Sequence, residues 1–166
     1  MLLGWQSLWA LLVGALIAFW GVYTQRSITR RRATIDHIIR LEADADFMAA
    51  REAVVSLAST GELASYAERV IDGNEDRKKK RSQIRLVLND FELASLAIQR
   101  GAMDFTIYKR FARPIVINYW KKTLPFIARV REVEDNDLLF HEFETLYRWM
   151  NEKRKPSRIR WFGLWF

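Results

Sequence analysis

From Leu2 to Thr24 the chain carries no charged side chain. As a helix rising about 1.5 Å per residue, such a run matches the roughly 30 Å hydrocarbon core of a bilayer with modest tilt. A cleaved signal peptide needs a basic stretch before the apolar run and a small-x-small site after it. Here no basic residue precedes the run, and it ends on Phe19-Trp20-Gly21-Val22-Tyr23. A helix buried in a soluble core is the other alternative, and the length argues against it. The expectation is a single transmembrane anchor over residues 1–25.

The flanks of the run suit two interfaces. Trp5 and Trp9 lie toward one end, Trp20 and Tyr23 toward the other, where amphipathic rings keep an apolar body in lipid and a polar tip among headgroups. A basic juxtamembrane linker, residues 26–33, holds Arg26, Arg30, Arg31 and Arg32, with no counterpart before the span. The positive-inside bias then predicts residues 25 onward in the cytoplasm and Met1 outside, at the inner membrane. These arginines also attract anionic lipid. They supply four of the seven net positive charges, so the excess belongs to the membrane end rather than to the domain. Within the span Ala10, Gly14 and Ala18 repeat every four residues, a smooth stripe on which a homo-oligomer could pack.

Beyond the arginines the apolar residues recur at helical spacing, with no alternating run and no hairpin signal. The class read from this is all-α: one membrane helix, then a cytoplasmic bundle of about five or six helices over residues 34–153. The first domain helix is expected from about Thr34 to Ser59, with Ile35, Ile38, Ile39, Leu41, Phe47, Met48, Val54, Val55 and Leu57 inward and Gly61 as its stop. A short helix over about Glu62–Ile71 and a turn at Asp72-Gly73-Asn74 follow. Ser82 to about Arg100 reads as the central helix. One face there is Ile84, Val87, Leu88, Phe91, Ala94 and Ile98, and Leu86, Leu93 and Leu96 form a second. Asp104 is expected to cap the next helix, with Met103 and Tyr108 as a hydrophobic staple. Pro114 is expected to kink or split it, and Pro125 to open a further helix to about Val133. Asn136 or Asp137 would cap the last, with Leu139, Phe143, Leu146, Tyr147 and Met150 inward.

The stretch "VLNDFELASLAIQRGAMDFTIYKRF", followed by "YWKKTLPFIARVRE", resembles the bacterial and phage-associated family named domain of unknown function 4760. The pattern is carried most by Leu88-Asn89-Asp90-Phe91-Glu92, Ile98, Gly101, Asp104, Tyr108 and Trp120, and the resemblance covers about Ala33 to Lys153. It implies an N-terminal span followed by a helical domain, and it assigns no activity. A part in phage infection or host defence is implied by the family's setting alone.

Chemistry-bearing residues are sparse. The chain has no cysteine, which removes disulfides, thiolate metal sites and cysteine nucleophiles. Its two histidines, His37 and His141, belong to no zinc-type spacing. There is no Gly-rich phosphate loop and no Gly-x-Ser-x-Gly elbow. No catalytic residue, metal or cofactor is expected. Asn89, Asp90 and Glu92 interrupt an apolar helix, and the reading is a buried polar network with Arg110 or Arg113 that fixes helix register; a membrane-anchored enzyme using these polar groups is the competing class. Asp36, His37, Glu42, Asp44 and Asp46 read as a solvated face, as do His141, Glu142 and Glu144. The run Arg77-Lys78-Lys79-Lys80-Arg81 could meet phosphates, but no aromatic residue interleaves with it, so nucleic acid is a third and weaker class. Finally, residues 154–166 form a basic-aromatic tail in which Arg158, Arg160, Trp161, Phe162, Trp165 and Phe166 suit a headgroup layer or a docking surface. The partners expected are membrane lipid and a protein; the function expected is a tethered noncatalytic interaction module.

Overall fold

A computed structural model describes residues 2–68 and 74–152 of the chain, with side chains from Trp9 onward. Among these residues the secondary structure is helical throughout, with no strand. Helix α1 runs Leu2–Ala43, α2 Ala45–Thr60, α3 Glu75–Gln99, α4 Phe105–Val133 and α5 His141–Asn151, with a short 3₁₀ turn Leu63–Ala67 between α2 and α3. The tail residues Arg158, Arg160, Trp161, Phe162, Trp165 and Phe166, the turn residues Asp72 and Gly73, and the side chain of Trp5 lie outside the described residues.

The apolar run, the arginines and the first domain turns form one unbroken helix. The break expected near Thr34 falls instead at Asp44, whose ψ of 107° is extended. Its carboxylate accepts from the Phe47 amide at 3.0 Å, which ends α1 and starts α2. Asp44 is exposed, as expected, and in addition caps α2. Gly61 closes α2 as expected, at φ 75° in the left-handed region that an L side chain resists.

Helix α3 begins seven residues earlier than the apolar pattern suggested, because Asn74 caps it through the Arg77 amide and Glu75 and Asp76 favour a helix N-terminus. The basic run therefore occupies the first two turns of α3. Ile84, Val87, Leu88, Phe91, Ala94 and Ile98 are all buried, whereas Leu86, Leu93 and Leu96 are exposed. The second apolar face thus contributes nothing to the core.

Helix α4 is continuous through both prolines, so Pro114 does not split it and Pro125 opens no separate helix. Each proline removes one amide donor, but Tyr108, Ala112, Val116, Tyr119, Trp120, Phe126, Ile127 and Val130 bury a face that spans both sites. Tertiary packing along one continuous stripe outweighs two missing hydrogen bonds. Asp104 caps α4 as expected, accepting from Thr106 and Ile107.

The last helix starts later than expected. Asn136 caps only a turn, accepting from Leu138, and α5 opens at His141 behind Phe140, whose φ of 57° is left-handed. That conformation costs a bulky residue about 1–2 kcal/mol. It is offset by burying the Phe140 ring 6.4 Å from that of Phe126. The bundle core then closes on aromatic contacts: Phe143 stacks on Phe91 at 4.5 Å and meets Trp120 edge-on at 5.2 Å, and Trp120 stacks on Tyr147.

Of α1, only the last turns touch this core. Trp9 through Arg26 are exposed, while Thr34 is fully buried and Leu41 packs against the cluster. Ile35 and Ile39, expected inward, face out, as do Met48 and Val55 of α2. One helix of the described chain is long and apolar enough to cross a membrane, and none of its apolar window is buried in the bundle.

Candidate functional site

Where α1 meets the bundle, polar side chains gather around a small cavity. Thr34, His37, Ile38 and Leu41 have the spacing of one helix face, and that face is the one laid on α3 and α4. Thr34 Oγ1 donates to the Arg30 carbonyl at 2.8 Å and accepts from the Asp104 amide at 2.7 Å, joining α1 to the start of α4. One turn on, His37 Nε2 lies 3.6 Å from Asp90 Oδ1 on α3, and Arg40 Nη2 lies 3.4 Å from His37 Nδ1. Beyond them Arg51 of α2 donates to Glu42 at 2.8 Å and sits over the Tyr119 ring.

The electrostatics favour neutral forms. Burial, then the Arg40 charge, pushes the His37 imidazole below its ordinary range, so at neutral pH the ring is uncharged. With Nδ1 facing the Arg40 donor, the ring proton belongs on Nε2, and 3.6 Å to Asp90 is longer than a hydrogen bond. The contact is therefore a polar approach rather than an ion pair. Burial lifts Asp90 to about 6 against the opposing pull of Arg40 and Arg51. Tyr108 is raised as well, by burial and by the Asp90 charge.

Ile38, Leu41, Phe47, Arg51, Asp90 and Tyr108 are among the residues lining a cavity of about 30 Å³. Room of that size suits a water or two, and Asp90 and Arg51 supply polar partners for it. Drug- or metabolite-sized ligands need pockets of a few hundred Å³.

The expected network of Asn89, Asp90 and Glu92 with Arg110 and Arg113 is not one site. Asn89 and Arg110 are exposed, and Asp90 faces α1. Glu92 and Arg113 both serve α5, at opposite ends. Glu92 accepts from the Phe143 amide at 2.7 Å, in the first turn of α5, and Arg113 Nε donates to the Met150 carbonyl at 3.0 Å, in its last. Lys109 adds bonds of 2.8 Å to the Trp149 and Glu152 carbonyls. A carboxylate at a helix start and cations at its end complement the backbone groups left open there. Burial raises Glu92 despite its amide partner. Glu142 and Glu144, expected at the surface, are half-buried: Glu142 accepts from Ser95 and Gln99, and Glu144 pairs with Arg131 and Arg148. His141 is exposed as expected.

His37, Arg40, Arg51 and Tyr119 are the members that the sequence reading missed. The available signal was Thr34 and His37 on the same face as Ile38 and Leu41, which makes polar residues part of a packing stripe. In the basic run, Lys78 pairs with Glu75, Lys80 with Asp76 and Arg81 with Glu134, while Arg77 donates to the Ser65 carbonyl. Among the residues expected at a membrane interface or in a membrane packing stripe, Trp9, Trp20, Tyr23, Arg26, Arg31 and Arg32 are exposed, as are Ala10, Gly14 and Ala18. Arg30 is half-buried, its Nε enclosed without a hydrogen-bond partner among the described residues.

A family model described as domain of unknown function (DUF4760) matches residues 8–150. The chain belongs to the DUF4760 family. The match begins inside the apolar part of α1, well before Ala33, and closes at Met150, the last buried residue of α5. The DUF4760 unit therefore takes in the exposed helix together with the bundle. No curated protein and no solved structure matches the chain.

Proposed function

We propose that the chain is a membrane-tethered, noncatalytic helical interaction module whose bundle stands at the cytoplasmic leaflet, with Met1 on the far side. The observation that carries this reading is the exposure of α1 on every side from Trp9 to Arg26, in a helix that continues unbroken into the bundle. Apolar side chains left uncovered over that length need lipid or a partner.

The position of α5 supports a second contact with lipid. Glu152 is tied to Lys109 in the opening turns of α4, and α4 starts beside Thr34, about 15 Å of helix past Thr24. The bundle end from which residues 153–166 continue is thus the end nearest the span. Arg158, Arg160, Trp161, Phe162, Trp165 and Phe166 have the composition of a headgroup-layer segment.

Fractionation of the untagged full-length chain tests the tether. Sedimentation with membranes, resistance to alkaline wash and release by detergent are the expected results. A freely soluble monomer in the absence of detergent defeats the proposal. Reporter fusions at either terminus test orientation, and a C-terminal reporter active only outside the cytoplasm reverses it.

A further inference from the structure

We propose that α1 pairs in parallel with α1 of a second copy of this chain, along a face holding Gly14, Ala18, Gly21, Ile28, Ile35 and Ile39. The proposal rests on the membrane-tethered reading, since a shared bilayer orients every copy alike.

Outside the span, the stalk part of α1 has two apolar faces. One, with Thr34 and Leu41, is laid on the bundle; the other holds Ile28, Ile35 and Ile39, which are 53%, 46% and 59% exposed. At about 100° per residue this second face lies roughly a third of a turn from Thr34, so the bundle leaves it open. Among the described residues nothing covers these isoleucines, although residues 27–43 belong to a continuous helix rather than a loose linker.

The register points to a copy of the same helix. Counting Ile28 and Ile35 as d positions puts Ile39 at a, and, continuing back through the unbroken helix, Gly21 and Gly14 at d and Ala18 at a. That is roughly four heptads on one line, with Gly14, Ala18 and Gly21 in the part that would stand in lipid and Ile28, Ile35 and Ile39 in the part that would stand in water, while Gln25 and Arg32 fill the a positions between them. At Gly14 and Gly21 an added Cβ would meet nothing within 4 Å, so no packing among the described residues requires glycine at either place. The charges beside the line are complementary too. Arg31 takes a g position and Asp36 the following e position, the two that face each other across a parallel pair. Both are exposed, and neither is in an ion pair among the described residues. Arg32 falls at an a position between Ile28 and Ile35, a polar residue of the kind that fixes register at some cost in affinity.

The chain has no cysteine of its own, so single cysteines report the seam directly. Full-length Ile28→Cys, Ile35→Cys and Ala33→Cys variants, in membranes under mild oxidant, are the comparison. The first two are expected to give a disulfide-linked product of twice the monomer mass, and Ala33→Cys, on another exposed face, is not. Adding Ile35→Asp to Ile28→Cys should lower the linked fraction roughly tenfold or more. Equal linking at residues 33 and 35, no linking at 28 or 35 in a chain that stays in the membrane fraction, or a linked product of unequal mass each overturns the pairing and leaves the tether standing. A chain recovered outside the membrane fraction removes both.

Discussion

The two halves of α1 share one backbone and answer to different surroundings. From Trp9 to Tyr23 the side chains are exposed and apolar on all sides, and no other described part of the chain covers them. From Thr34 to Leu41 only one face is covered, and it is covered by a mixture of hydroxyl, imidazole and aliphatic groups. The contrast shows that apolar content alone does not decide where a helix is buried. A docked face needs a partner surface of matched shape and polarity, which α3 and α4 provide near Thr34 and nowhere earlier.

If the halves are independent, the largest effects come from the bundle core. Phe143→Ala should cost about 3–5 kcal/mol by leaving a cavity between Phe91 and Trp120. Thermal unfolding of the full chain in detergent reads this loss, while recovery in the membrane fraction stays unchanged. Leu16→Ala, in the open half, should leave the melting temperature in place. A matching drop in both variants would show that the open half helps hold the bundle.

Next in size is Asp90, where the docked half meets α3. Its folded-state value of about 6 lies above the ordinary 3.8. Between those values the folded chain holds a proton that the unfolded chain has released, so stability falls as pH rises through this window and the full cost remains above it. Asp90→Asn should therefore stabilise the chain by about 3 kcal/mol at pH 8. The gain should vanish at about pH 4, as melts at the two pH values would reveal. An equal gain at both would mean that the charge is not the cause.

Smaller effects sharpen the account of α5. Glu92→Ala removes the acceptor for the Phe143 amide and should cost about 1–2 kcal/mol, whereas Glu92→Gln keeps an acceptor and should retain most of it. Asn89→Ala, three residues away and exposed, should shift stability by less than about 0.5 kcal/mol. A large loss at Asn89 would restore it to a buried network.

Periodicity made much of the bundle legible. The buried face of α3, the Gly61 stop, the Asp104 cap and the inward stripe of α5 follow from spacing and residue type, because each depends on neighbours within a few turns. The continuity of α4 through Pro114 and Pro125 does not, since it depends on packing supplied by other helices. The polar residues were harder to read for the same reason. Glu92 and Arg113 stood out as charged groups beside apolar faces, but that they hold opposite ends of α5 is set by the path of the chain. His37 looked like a member of a solvated acidic stretch until α3 brought Asp90 beside it.

The lack of any hinge between Thr24 and Ala43 has a mechanical consequence. If the helix is the proposed tether, a continuous rod fixes both the height of the bundle above the bilayer and the compass direction in which it faces. One residue inserted between Gln25 and Ser27 would lift it by about 1.5 Å and swing it through about 100°, aiming the same domain at a different neighbour.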